Sequence, residues 1–60
     1  MELEINTTYT RTIKNSKLYF EYLGYSLEGF KRFLVWSDKY PKKEAVSLKD
    51  SYIKDMELTK

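Results

Sequence analysis

The sequence predicts an α+β domain: a three-stranded antiparallel sheet with one α-helix, in the order β-β-α-β, assembled as a homodimer. Three observations support this. Residues 3–13 alternate apolar and polar side chains, residues 27–39 repeat apolar side chains at helical spacing, and seven of the ten aromatic residues crowd into residues 17–36.

The first strand is expected over residues 3–13. Leu3, Ile5, Thr7, Tyr9, Arg11 and Ile13 fall on odd positions, while Glu4, Asn6, Thr8, Thr10 and Thr12 fall on even ones, which gives a half-wet strand rich in β-branched residues. Met1 and Glu2 are expected to fray. Lys14, Asn15 and Ser16 then supply the small polar residues of a hairpin turn. The second strand, residues 17–23, carries Leu18, Phe20 and Tyr22 on one face and Tyr19, Glu21 and Leu23 on the other. With apolar bulk on both faces, one face is left over for another chain.

The helix is expected over residues 27–39. Ser26 is a suitable N-cap, Glu28 complements the dipole, Lys39 lies near the C-terminus and Pro41 acts as a stop. At 100° per residue, Leu27, Phe30, Phe33, Leu34, Trp36 and Tyr40 sweep about half the circumference, broader than one core layer needs. Leu27, Phe30 and Leu34 would cover the sheet. Phe33, Trp36 and Tyr40 would form a flank, and Gly29 would allow a close approach at a cost of about 1 kcal/mol. The tail reads as a third strand over residues 51–58, because a two-stranded hairpin is a small platform for this helix. A short helix also fits, through Ser47 with Asp50 and the spacing Leu48, Tyr52, Met56.

Length and composition narrow the function classes. At sixty residues folding buries only about 60% of the unfolded chain's surface, so a lone domain is marginal without a staple. Cysteine and histidine are both absent, which excludes disulfides, thiol redox chemistry and thiolate or imidazole zinc sites, and leaves oligomerisation. The eleven Lys and Arg against nine Asp and Glu are interspersed, giving a net charge of +2 and a solvated mixed surface. No window approaches the roughly twenty apolar residues of a membrane span, and the start lacks a signal-peptide pattern, so a cytoplasmic location without membrane contact is expected.

The same inventory predicts no catalytic residues, no metal and no cofactor. General acid-base work would fall to carboxylates, Lys or Tyr, and no spacing pairs two carboxylates in a cleft. The two glycines are isolated, so no phosphate loop exists. Binding is the remaining class, since aromatics dominate interface energetics. One option is a single-stranded nucleic-acid module in which Tyr9, Tyr19, Phe20 and Tyr22 stack bases. Against it, Glu21 stands among the rings and Arg11, Lys14 and Lys17 cluster only loosely.

The run Lys17, Tyr19, Phe20, Glu21, Tyr22, followed by Ser26, Leu27 and Phe30, resembles the small uracil-DNA glycosylase inhibitors of protein-primed Bacillus phages. The likeness spans about residues 9–56 and is closest over residues 17–30. It implies a phage-type homodimer that mimics DNA, binds the host glycosylase rather than nucleic acid, and holds the enzyme's minor-groove wedge in an apolar pocket between paired helices. Phe30 matches the family's pocket phenylalanine and Glu21 a groove-contacting glutamate. Leu34 replaces a tyrosine and Lys31 an acidic residue. The expected partner-binding set is Phe30, Leu34, Trp36, Glu21 and Glu28, the last two as phosphate mimics, with Phe33 and Tyr40 at the dimer contact. The slightly basic chain weakens long-range steering toward a cationic DNA cleft.

Overall fold

The computed structural model describes residues 3–60; the expected fraying of Met1 and Glu2 lies outside them. Four strands form an antiparallel meander in sequential order: β1 (Thr8–Ile13), β2 (Ser16–Tyr25), β3 (Phe30–Ser37) and β4 (Glu44–Lys49). One helix, α1 (Asp50–Met56), follows. The α+β class and the antiparallel sheet agree with the sequence. The strand count and the element order differ.

The helix expected over residues 27–39 is instead a turn followed by β3. Two pleated faces, both apolar, explain the misleading period. Phe33 and Val35 point into the core, and Leu34 and Trp36 point out on the other side, so the alternation is hidden and a half-cylinder fits equally well. Phe, Val and Trp are strand-forming residues, and this preference prevails. Ser26 does not cap a helix. Residues 26–29 close a β-hairpin in which the Phe30 amide donates to the Leu27 carbonyl at 2.8 Å, and Gly29 takes a left-handed φ of 81°.

The first hairpin joins Ile13 to Ser16 through Lys14, with φ 54°, and Asn15. β1 is shorter than the expected 3–13, beginning at Thr8. β2 runs two residues beyond the expected 17–23. Its register shifts between Tyr22 and Gly24, a bulge where Gly24 adopts φ 111° and a Cβ would lie 3.6 Å from the Ile5 side chain.

The strand expected over residues 51–58 is α1 followed by an isolated bridge between Thr59 and Thr10. The helical alternative for this tail is the one the chain adopts. Asp50 opens the helix in its first turn, and Glu57 ends it in the left-handed conformation with φ 52°. Ile53 and Met56 turn inward, and Leu58 beyond them is buried. An ion pair between Lys31 and Asp50 and a 2.9 Å bond from the Asp50 amide to the Gly29 carbonyl tie α1 to the hairpin. Among the described residues no helix is long and apolar enough to cross a membrane.

The core lies between one sheet face and α1 with the tail. Tyr9, Phe20, Tyr22, Phe33 and Leu58 form it, and Phe33 is fully buried at its centre. The Phe33 ring meets Phe20 edge-on at 6.1 Å and Tyr22 at 5.3 Å, geometries that add about 0.5–1.5 kcal/mol per pair beyond area burial. The Tyr9 hydroxyl accepts a 2.8 Å bond from the Glu4 amide, so its buried polar atom is paired.

Candidate functional site: the open face of the sheet

The pleat that sends Phe20 and Phe33 into the core sends Tyr19 and Trp36 to the other face, on which no helix packs. Tyr19 and Trp36 are registered neighbours across β2 and β3. Their rings stack with centroids 5.5 Å apart and planes 12° from parallel. Each outer side of the pair carries an ammonium group. Lys17 Nζ lies 5.6 Å from the Tyr19 centroid and Lys43 Nζ lies 4.5 Å from that of Trp36, so the four side chains form a layered ladder.

Two carboxylates fix the ladder. Glu21 Oε1 is 3.6 Å from Lys43 Nζ, holding that ammonium near the indole. The Tyr19 hydroxyl donates to Asp38 Oδ1 at 3.1 Å, and this hydrogen bond, with the carboxylate's charge behind it, raises the Tyr19 pKa above its ordinary value. Leu34, opposite Glu21 in register, adds half-buried apolar surface beside the rings, and exposed Arg32 adds a further cation to the face.

Antiparallel topology places the β1–β2 turn and the β3–β4 loop at the same end of the sheet. Among the described residues Arg11, Lys14, Lys17, Lys39, Lys42 and Lys43 gather at or beside this end, with Asp38 and Glu44 as the carboxylates there. Charge that is interspersed along the chain is therefore segregated in space. At the same end, but on the core face, α1 and the tail do not reach. There Leu18, Val35, Tyr40 and Pro41 line an open apolar groove of about 590 Å³, with Lys39 and Lys42 at its rim.

Four of the five expected partner-binding residues share the open face: Phe30, Leu34 and Trp36 on β3 and Glu21 on β2. They do so as a strand pattern, not as the wall of a helix pair. Glu28 lies apart, in the β2–β3 turn. Two further assignments are corrected. Phe33 is 0% exposed and packs inside its own subunit, so it makes no dimer contact, whereas Tyr40 is exposed in the β3–β4 loop. Of the expected stacking rings, Tyr9, Phe20 and Tyr22 are buried and only Tyr19 stands on the open face. Sequence alone assigns Lys43 no role and puts Trp36 on a helix flank, because their meeting depends on strand pairing.

Among the described residues no group of three or more Asp or Glu side chains is placed to hold a metal ion. The fold and face define a small α+β protein with an aromatic, cation-flanked sheet surface. Comparison with known protein families, curated proteins and solved structures finds no match to the chain.

Proposed function

We propose that the protein is a non-catalytic module that binds single-stranded nucleic acid on the open face of its sheet. The ladder Lys17, Tyr19, Trp36, Lys43 is the single observation that carries this reading. Stacking a base on an aromatic ring is worth about 1–3 kcal/mol, whereas an ammonium over an exposed ring is worth about 0.5–1 kcal/mol. A base therefore displaces Lys43 from the indole, and the released ammonium pairs with the phosphate beside that base. The lysines of the adjoining loops extend the phosphate track. Glu21 repels phosphate near the centre of the face, which directs the backbone toward the loop end.

Trp36 is the chain's single tryptophan, so its emission reports on this site alone. Titration with an eight-nucleotide oligothymidine is expected to quench it. Neutralising three to five phosphates gives a log affinity against log salt slope of about −2 to −3.5 on a single strand. Unchanged emission at about 50 mM salt, with the oligonucleotide in large excess, would refute the assignment.

A second function, inhibition of uracil-DNA glycosylase, is supported by the convergence of Phe30, Leu34, Trp36 and Glu21 on one accessible face. Its pocket would be a sheet surface rather than paired helices. A glycosylase assay on uracil-containing DNA separates the two functions. Inhibition that titrates with enzyme concentration supports direct capture, and inhibition that titrates with DNA concentration supports substrate binding.

A further inference from the structure

We infer that β4 and the groove at its start form a second docking site, one that takes an extended acidic peptide by strand addition. β4 is the last strand of the sheet, and among the described residues its backbone makes no hydrogen bond beyond those to β3 over residues 44–48. An unpaired edge of this kind is a template for an added strand, with backbone bonds giving affinity and side-chain pockets giving selectivity. Val46 and Leu48 are half-buried on the core face of β4, so alternate side chains of an added strand would lie beside apolar flanks.

The apolar groove supplies the pocket. Val35 on β3 and Glu44 on β4 are register partners and both line it, so it opens directly onto the β4 edge. Charge selects the occupant. Lys39 and Lys42 border the groove at this end of the edge, with Glu44 as the opposing carboxylate at the mouth. Two cations to one anion favour an acidic ligand, and Glu44 excludes a carboxylate from the position facing it, so an apolar side chain enters the groove there. The occupant is thus a segment that alternates Val or Leu with Asp or Glu. Its apolar floor, Leu18 and Val35, lies on the opposite side of the sheet from the ladder, while Trp36 and the loop lysines border both sites.

The test uses the full chain and a synthetic octapeptide alternating Val with Glu, compared with its Lys-for-Glu counterpart. Binding is followed by amide chemical shifts and by hydrogen exchange. The acidic peptide is expected to shift and protect amides within residues 44–48, and the basic peptide to leave them unchanged. Substituting Lys39→Glu together with Lys42→Glu, both on exposed loop positions, is expected to weaken binding by an order of magnitude or more. Tyr19→Ala is expected to abolish oligonucleotide quenching yet retain peptide binding, which keeps failure of the two sites distinguishable. Shifts confined to the open face, equal binding of both peptides, or β4 protection already present without peptide through self-association would each overturn the inference.

Discussion

The indole of Trp36 lies 12° from parallel with the phenol ring of Tyr19, its register partner across β2 and β3, at a centroid separation of 5.5 Å. The hydroxyl of the same phenol donates to Asp38 at 3.1 Å. One side chain therefore links the stacked face to the loop that carries Lys39, Lys42 and Lys43.

Ionisation of Tyr19 should be visible through Trp36. The hydrogen bond to Asp38 favours the neutral phenol and raises its pKa above 10.0 in the native state. The contact's contribution to stability is full below the ordinary tyrosine value and is lost as pH rises through the higher native one. Tyrosinate quenches neighbouring indole emission, so Trp36 fluorescence is expected to fall above pH 10, and Asp38→Ala should move the midpoint down toward 10. Tyr19→Phe should remove this step. A midpoint indifferent to Asp38→Ala would show that the bond does not persist in solution.

Gly29 distinguishes the turn from the helix that the sequence suggested. In a helix, Gly29→Ala would stabilise by about 1 kcal/mol. At φ 81° the same change is strained even though a Cβ there has open space, so a destabilisation of about 1–2 kcal/mol is expected from denaturant melts.

Phe33 and Phe30, three residues apart, should respond very differently to truncation. Phe33→Ala removes the centre of the core and is expected to cost about 3–5 kcal/mol, comparable with the whole stability of a domain this small. Phe30, half-buried at the start of β3 on the open face, should tolerate alanine with a loss below about 1.5 kcal/mol. Circular dichroism melts of the two variants check this. A folded Phe33→Ala protein with only a changed oligomeric state would restore the dimer contact that its burial argues against.

The contrast between these two phenylalanines also marks how far the fold was legible. The first hairpin could be read because Thr and Tyr alternate along β1, Phe20 and Tyr22 share one face of β2, and Asn15 and Ser16 punctuate the pattern. β3 could not, since Leu34 and Trp36 make its outer face as apolar as the inner one and period two is lost. The tail was legible only as an alternative, because Ile53 and Met56 turn inward while Tyr52 is left exposed, and seven residues give the helical pattern too little length to declare itself. At the site, the aromatic surplus suggested a surface for another chain, and the sheet has one face with Tyr19 and Trp36 on which α1 does not pack. Which rings are surplus depended on strand register, which assigns Phe20 and Phe33 to the core and Tyr19 and Trp36 to the surface.

Lys43 and Glu21 should tune the open face in opposite directions. Lys43 Nζ sits 4.5 Å from the Trp36 centroid and 3.6 Å from the Glu21 carboxylate, so it is shared between a ring and an anion. Lys43→Gln removes one phosphate partner, and the slope of log affinity against log salt for an oligothymidine should become shallower by about 0.7. Glu21→Gln removes the carboxylate that holds Lys43, frees that ammonium for phosphate and should strengthen binding several-fold at low salt. The gain should shrink as salt rises, because the Debye length falls from about 30 Å at 0.01 M to about 10 Å at 0.1 M. Both side chains are largely outside the core, so thermal melts should change little while binding changes. If Glu21→Gln weakened oligonucleotide binding and Lys43→Gln left the salt slope unaltered, the ladder would be surface packing alone, with no part in holding a polyanion.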